Sequence, residues 1–195
     1  MMELVFATNN QHKLEEVQAV IGPQIQLKTL EEIGCQEDIP ETGQTFEANA
    51  AQKSQYLLDH YGMDCFADDS GLEVYALGGE PGVISARYSG SRDMEQNMDL
   101  LLQKMEGQHD RRACFRTVIS LRLQGEHYLF EGKVEGRLLN ERTGKKGFGY
   151  DPLFVPDGYD RSFAEMDLDE KTAISHRTQA VGKMADFLNT IKNRQ

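Results

Sequence analysis

The sequence has few cysteines and no long apolar run. Its three cysteines, Cys35, Cys65 and Cys114, are scattered without metal-type spacing. This pattern suits a reducing cytosol and argues against a disulfide framework or a zinc site. No run approaches the roughly 18 apolar residues of a membrane span, and the first seven residues lack the basic leader and apolar stretch of a signal peptide. We therefore expect a cytoplasmic protein without membrane association.

Basic residues are also scarce, which limits the partners. The chain has 21 Lys and Arg against 32 Asp and Glu, a formal net charge of -11. Binding to a nucleic-acid backbone needs clustered Lys and Arg, so we expect no nucleic-acid partner. A small anionic substrate remains compatible with this balance, because a local lysine cluster overrides the global field. With 195 residues and 39% hydrophobic content, the chain is expected to form one domain with a real core.

Apolar periodicity alternates between the strand and helix repeats along the chain. The pattern predicts strands at residues 4–7, 25–27, 65–67, 72–76, 113–123 and 128–130, and helices at 12–21, 45–61, from 93, and 175–191. Asp93 followed by Gln96 predicts a capping box at the third helix. Gln124-Gly125 joins the clearest strand to its partner in a hairpin. Together, βα units and a long antiparallel hairpin predict an α/β fold with a mixed sheet.

Two adjacent acids are the most informative feature. The apolar run at 65–67 ends at Asp68 and Asp69, followed by Ser70 and Gly71. Ionising two neighbouring carboxylates is unfavourable unless a cation or a proton lies between them. Mg²⁺ takes oxygen ligands, usually one or two carboxylates plus substrate phosphates. The segment therefore indicates metal-assisted chemistry on a phosphorylated substrate, and a solvated turn is the alternative.

Two segments supply groups that suit phosphates. A polar segment joins the first strand to the first helix, the geometry in which helix N-termini bind phosphate. Its residues are Thr8, Asn9, Asn10, Gln11, His12 and Lys13. An Asn-rich helix cap is the alternative interpretation. In the second segment Asn49 and Lys53 share one helix face, so Lys53 would meet phosphates that Glu41 contacts through a metal. A polar surface helix is the alternative there.

Two later segments suit a nucleobase. Residues 144–152 combine glycines and lysines with Phe148, Gly149, Tyr150 and Asp151. An aromatic such as Phe148 stacks on a base with roughly 1–3 kcal/mol, although a flexible hairpin loop explains the composition equally. Lys171, His176 and Arg177 lie near the start of the last helix. Cations are disfavoured at that end of the dipole, which indicates a nearby ligand, and a solvated basic patch is the alternative interpretation.

Six blocks of the chain occur in the order of a known family. They are residues 8–13, 41–53, 66–72, 79–88, 147–152 and 171–177. In these blocks the chain resembles the inosine/xanthosine triphosphate pyrophosphatases, and the resemblance spans residues 4 to about 190. It implies an elongated α/β fold with a long mixed β-sheet flanked by helices, two lobes that do not fold independently, and an active site in the cleft between them. It also implies a homodimer.

The resemblance implies Mg²⁺-dependent hydrolysis of dITP, ITP and XTP to the monophosphate and pyrophosphate, which would prevent their incorporation into DNA and RNA. Asp69 would be the catalytic base, and Glu41, Asp69 and Asp68 would bind Mg²⁺. The triphosphate would be held by residues 8–13 and Lys53, and Ser70 would contact substrate. Residues 148–151 would form the base wall and Lys171 would contact the nucleotide.

The same resemblance implies that His176 and Arg177 recognise the edge of the base. As a pure donor, Arg177 would pair with the O6 acceptor of hypoxanthine or xanthine and leave the amine of adenine unpaired. His12 and Thr178 stand where many members have Gly, which affects the expected fine specificity. Two alternatives remain open: a pyrophosphatase for other modified nucleotides, and a nucleotide-binding sensor without catalysis.

Overall fold

The computed structural model describes residues 2–192 and contains six strands and five α-helices in that range. The strands are β1 (Met2–Phe6), β2 (Ile25–Lys28), β3 (Cys65–Val74), β4 (Arg112–Leu123), β5 (Glu126–Leu138) and β6 (Phe154–Pro156). The helices are α1 (Gln11–Gln18), α2 (Phe46–Tyr61), α3 (Met94–Lys104), α4 (Leu168–Ile174) and α5 (His176–Lys192). No helix within residues 2–192 combines the length and the apolar character that crossing a bilayer requires.

The strands form one sheet in the order β2-β1-β3-β4-β5-β6. Strand β1 pairs in parallel with β2 and with β3, whereas β6 pairs antiparallel with β5. The predicted α/β fold with a mixed sheet is therefore confirmed. The hairpin turn is also where the sequence placed it, since Gln124 and Gly125 join β4 to β5 with φ values of 52° and 84°.

The backbone divides into two compact units. Unit 1 contains the described residues of Met1–Asp69, Thr117–Gly132 and Arg177–Gln195, and unit 2 contains Ser70–Arg116 and Lys133–His176. Each unit has its own apolar core. In unit 2 the core includes Leu72, Leu101 and Phe115, with Phe115 packing edge-on against Phe154 at 4.7 Å between ring centroids.

In unit 1 both faces of the sheet are covered. Phe6 and Phe66 stack at 4.5 Å on the face that packs against α1 and α5. Val5, Cys65 and Ala67 lie on the other face, in a core that includes Leu57 of α2. Successive strand side chains point to opposite faces. In the unit 1 part of β3 the even-numbered side chains therefore face α1 and α5, and the odd-numbered side chains face α2.

The prediction of two short strands around Asp68-Asp69-Ser70-Gly71 is wrong, and so is the alternative of a solvated turn there. Strand β3 runs from Cys65 to Val74 without a break. Asp68 and Asp69 are buried, at 1% and 5% relative exposure. Partners supplied by neighbouring helices compensate for the burial of these polar groups, so the strand can continue through them.

Other element bounds differ from the prediction for identifiable reasons. Helix α1 ends at Gln18 because the next turn tightens, with the Val20 N–H bonded to the Val17 carbonyl three residues back. Gln96 does not complete a capping box, since its side chain donates to the Asp93 carboxylate and the Asp93 N–H bonds Ser91. Strand β5 is longer than predicted, and β6 and α4 were not predicted.

Candidate active site

Asp69 is the centre of the first polar cluster, in unit 1. Its parity in β3 points it towards α2, where the Asn49 amide donates to Asp69 Oδ2 at 2.9 Å. Burial raises the pKa of Asp69 to about 6, although Lys53, Lys13 and the Asn49 hydrogen bond favour the charged form. A carboxylate with a pKa near the working pH has the property required of a general base.

The orientation of Asn49 is fixed by the chain before α2. The Gly43 N–H donates to Asn49 Oδ1 at 2.7 Å, so the amide nitrogen is turned towards Asp69. Position 43 favours glycine, because a Cβ there would lie 2.7 Å from Ala48 Cβ and 2.8 Å from Asn49 Oδ1. Thr45 caps the helix by accepting from the Ala48 N–H at 3.1 Å.

Lys53 follows Asn49 by one helical turn and lies on the same face, as the spacing predicted. Its ammonium is paired with the Glu41 carboxylate and donates to the Asp68 backbone carbonyl at 2.5 Å. Burial by itself lowers the pKa of Lys53, but Asp68, Glu41 and Asp69 outweigh it and hold that pKa above the ordinary value. Lys53 is therefore a cation held among carboxylates.

Asp68 lies on the opposite face of β3 and meets different partners. Lys13 of α1 approaches it at 3.0 Å, and Arg177 of α5 at 3.4 Å. Arg177 is also paired with Glu16, a buried acid of α1 that the sequence analysis did not identify. Burial alone lowers the pKa of Arg177, whereas Glu16 and Asp68 raise it above its usual value. These four charges form an ion network in which Asp68, Glu16 and Arg177 are buried and Lys13 is half-buried.

The segment at residues 8–13 forms the start of α1. Asn10 is the N-cap, accepting from the Lys13 N–H at 3.2 Å, and Thr8 accepts from the Asn10 N–H at 3.1 Å. The helix-cap interpretation is thus correct for Asn10. A cleft of about 140 Å³ adjoins this segment, lined by Thr8, Asn9, Asn10, Gln11, Leu14, Thr29, Leu30 and Glu31. Phosphate binding by the segment stays a prediction.

The second polar cluster, in unit 2, is built around Asp151. Its buried carboxylate accepts from the Phe148 N–H at 2.8 Å and from Lys171 Nζ at 2.7 Å. Lys171 Nζ also lies 4.8 Å from the centre of the Phe148 ring. A Cβ at Gly147 would overlap the Asp151 carboxylate, and Gly147 has φ +73°. Glycine at that position allows the loop to close over Asp151.

Tyr150, His176 and Ser70 complete the predicted set. The Tyr150 hydroxyl donates to the Ser85 carbonyl at 2.8 Å. His176 is buried and stacks on Phe115 with 4.8 Å between centroids, whereas its neighbour Arg177 belongs to the ion network of unit 1. Ser70 is half-buried in β3. Their substrate roles stay predictions.

The carboxylates of unit 1 provide part of a ligand set for Mg²⁺. Within residues 2–192, no three or more His, Cys, Asp or Glu side chains are arranged to hold a metal by themselves. Asp69 and Glu41 are near enough for Glu41 to raise the Asp69 pKa. Two carboxylates together with substrate phosphates are the usual set for Mg²⁺. The donor chemistry thus fits an ion bound jointly with a triphosphate.

Sequence reasoning missed two residues of these clusters as site members. Asn49 was placed on the right helix face but was not assigned a contact to Asp69. Glu16 was not considered, although a charged residue one turn from Lys13 on an amphipathic helix is a detectable signal. Its buried partner Arg177 is far away in sequence, and single-sequence periodicity carries no information about such pairs.

Comparison with known proteins gives concordant results. The model of the Ham1 family matches residues 4–187. A curated protein of Christiangramia forsetii named dITP/XTP pyrophosphatase is 50% identical, covering 96% of this chain and 100% of its own. The solved structure of the Staphylococcus aureus Ham1 protein has a TM-score of 0.89 at 40% identity, covering 96% and 98% of the two chains. A Coxiella burnetii HAM1 protein reaches 0.90 at 37% identity, covering 97% and 100%.

Proposed function

Because the chain belongs to the Ham1 family, we propose that it is a nucleoside triphosphate pyrophosphatase, a hydrolase that acts on an acid anhydride. The name of the Christiangramia forsetii relative supports this class. In the proposed reaction water attacks the α-phosphorus, and the products are a nucleoside monophosphate and pyrophosphate.

The observation that carries the proposal is the environment of Asp69. The carboxylate is buried, oriented by Asn49 and close to two lysines, and its pKa of about 6 leaves it mostly ionised at neutral pH. Asp69 would accept a proton from the attacking water, a contribution of roughly 10²–10⁴-fold for a well-placed base. Asn49 keeps the accepting oxygens in a fixed direction during this transfer.

Lys53 and Lys13 would bind the triphosphate. Each ammonium is already held by a carboxylate, Lys53 by Glu41 and Lys13 by Asp68. Phosphate oxygens carry more charge than one carboxylate and would share these cations without large side-chain movement. Burial lowers the pKa of Lys13 despite the opposing effect of Asp68, so an added anion at this position would stabilise its charged form.

Asp69 and Glu41 would hold Mg²⁺ together with the phosphates. The ion would neutralise phosphate charge in the transition state. Asp68 is the weaker candidate ligand, because its carboxylate is paired with Lys13 and Arg177. The ion pair with Lys53 would keep the Glu41 carboxylate directed towards this position.

The Asp151 cluster would provide the base wall. Phe148 would stack on the purine, with its backbone fixed by Asp151 and its ring beside Lys171. The carboxylate of Asp151 is committed to the loop and to Lys171, so we assign it to holding the wall rather than to contacting the base directly. The proposed substrates are dITP, ITP and XTP, whose removal would prevent their incorporation into DNA and RNA.

The assignment of the base edge to Arg177 stays a prediction. In the structure its guanidinium is engaged by Glu16 and Asp68, so reading O6 would require it to exchange one of these pairs. The homodimer, the cytoplasmic location and the single domain of two lobes also stay predictions.

A product assay tests the proposed function. The protein is incubated with dITP, XTP, dATP and dGTP, with and without Mg²⁺, and the products are separated by anion exchange. We expect dIMP and XMP with pyrophosphate, and only when Mg²⁺ is present. Release of inorganic phosphate with a diphosphate would disprove attack at the α-phosphorus, and equal rates on dATP would disprove the proposed specificity for deaminated purines.

Asp69→Asn tests the proposed base directly. Asparagine keeps the size of the side chain but cannot accept the proton, so we expect kcat for dITP to fall by at least about 10²-fold. The dissociation constant of dITP, measured by titration calorimetry in EDTA so that the metal role of Asp69 does not contribute, should change far less, because Lys13 and Lys53 remain. Asp59→Asn, at an exposed position of α2, is the matched control for removing one acid. Unchanged turnover in Asp69→Asn would exclude Asp69 as the base.

A further inference from the structure

Met94 is the most accessible methionine of the described chain. It is the first residue of α3 and is 49% exposed. Met98, Met105, Met166 and Met184 are buried at 3% exposure or less, and Met2 and Met63 are half-buried. Oxidation of methionine depends on access to the thioether sulfur, so among the methionines of residues 2–192 Met94 is the side chain that an oxidant would reach first.

The sulfur of Met94 also has a specific contact. Met94 Sδ accepts a hydrogen bond from the Gly149 N–H at 3.1 Å. The residues on either side of Gly149 are anchored separately, Phe148 through Asp151 and Tyr150 through Ser85. Gly149 itself has φ +62°, in the left-handed region. Met94 therefore provides an attachment in the middle of the loop that carries the aromatic wall.

We propose that Met94 is an oxidative modification site that controls the loop around Phe148. Hydrogen peroxide would transfer one oxygen atom to Sδ: the thioether is oxidised to a sulfoxide as a new S–O bond forms, and the peroxide O–O bond breaks with release of water. The functional consequence rests on the proposed nucleotide site, whereas the modification and its effect on Gly149 do not.

The geometry explains why oxidation would act on the loop. A separation of 3.1 Å between Sδ and the Gly149 nitrogen leaves no room for another heavy atom between them. The sulfoxide oxygen is a stronger acceptor than the thioether, so the N–H would bond to oxygen only after the loop moved outwards, and otherwise the bond would be lost. Either outcome removes the present anchor of Gly149, the residue next to Phe148 in the chain, and so loosens the loop at that point.

The test combines modification, structure and kinetics on the whole protein. Peroxide is titrated, and oxidation of each methionine is quantified by peptide mass. Hydrogen exchange of the Gly149 amide is followed by NMR, and KM and kcat are measured with dITP. We expect Met94 to be oxidised first, the Gly149 amide to exchange at least about fivefold faster, and KM to rise about three- to tenfold, the effect of losing one hydrogen bond. The value of kcat should stay within about twofold, because Asp69 belongs to a separate cluster.

Two variants and the enzymatic reduction of methionine sulfoxide provide the controls. Met94→Leu should show no response to peroxide, whatever its starting KM, and Met63→Leu should keep the full response. Methionine sulfoxide reductases should restore the original KM and exchange rate. The proposal is overturned if Met2 or Met63 is oxidised before Met94, or if complete oxidation of Met94 leaves both KM and Gly149 exchange unchanged. If dITP is not hydrolysed at all, the proposed function fails, while the mass and exchange data still decide the modification site.

Discussion

Asp68 and Asp69 are adjacent in the chain, but their side chains lie on opposite faces of β3. Asp68 meets two cations, Lys13 and Arg177, whereas Asp69 meets the neutral amide of Asn49. Because successive strand side chains point to opposite faces, Asp68 lies beside two cations, whereas burial raises the pKa of Asp69 to about 6. Two identical residue types obtain different chemistry from the helices they face.

The raised pKa of Asp69 makes a prediction for stability. A carboxyl whose pKa rises on folding, here from 3.8 to about 6, favours the protonated folded state at low pH and loses that advantage as pH rises through 6. Above that pH the ionised group costs up to about 3 kcal/mol, at 1.36 kcal/mol per pKa unit. We expect Asp69→Asn to be more stable than the parent protein at pH 7.5, by a margin that shrinks towards pH 4.

The measurement is urea unfolding at both pH values with EDTA present, so that bound metal does not contribute. Asp59→Asn, on the exposed side of α2, is the control and should change stability little at either pH. An Asp69→Asn variant that is less stable than the parent protein at pH 7.5 would show that the ionised carboxylate is compensated in the fold.

At this scale the sequence predicted many of the residue types in the clusters but few of their pairings. Lys53 and Asn49 were placed on one helix face because helical spacing is local. The contact between Arg177 and Glu16 joins residues 161 positions apart, and no periodic pattern encodes such a pair. The sequence also could not show that Asp151 holds the Phe148 backbone, because the folding of that loop depends on glycine conformations rather than on apolar spacing.

At the scale of elements, α2 was predicted almost to the residue because both of its ends carry strong signals. Thr45 caps its start, and Gly62 ends it with φ +61°. The predicted length of β5 was too short because two of its buried positions are Gly132 and Gly136, and glycine does not contribute to an apolar alternation pattern. Helix α4 had a readable signal in the Asp167–Glu170 capping box, but at seven residues it is too short for periodicity to reveal.

Gly43 and Gly62 flank α2 and give a matched pair of substitutions. In Gly43→Ala the new Cβ would press on Asn49 Oδ1 and Ala48, so the amide would turn away from Asp69. We expect kcat for dITP to fall about tenfold to a hundredfold, the scale associated with small misplacements of catalytic groups. Gly62→Ala meets open space and should cost about 1–2 kcal/mol of stability through its positive φ, with kcat unchanged.

Steady-state kinetics and urea unfolding of both variants separate the two effects. A loss of kcat in Gly62→Ala equal to that in Gly43→Ala would indicate that α2 as a whole, rather than the orientation of Asn49, controls turnover.

At the scale of the whole molecule, the sequence predicted a mixed sheet but not the order of its strands. The neighbours β1 and β3 are separated by α1, β2 and α2 along the chain, and pairing across such a distance depends on which faces bury apolar surface. Parallel pairing of β1 with β3 places Phe6 beside Phe66, a match that becomes recognisable only when the register is known.

The net charge of -11 gives the last prediction. The buried cations Lys53, Lys171 and Arg177 and the half-buried Lys13 are paired with carboxylates, so the excess of acids is carried largely by exposed side chains. Mutual repulsion of these acids disfavours the compact state, and salt screens it. We expect the Tm at pH 7.5 with EDTA to rise by roughly 2–4 °C between 20 and 300 mM NaCl, or about 1 kcal/mol for a chain of this size. Choline chloride at the same ionic strength should give the same rise, because screening does not depend on the identity of the cation. A Tm that falls with salt would mean that attractive surface ion pairs outweigh the repulsion.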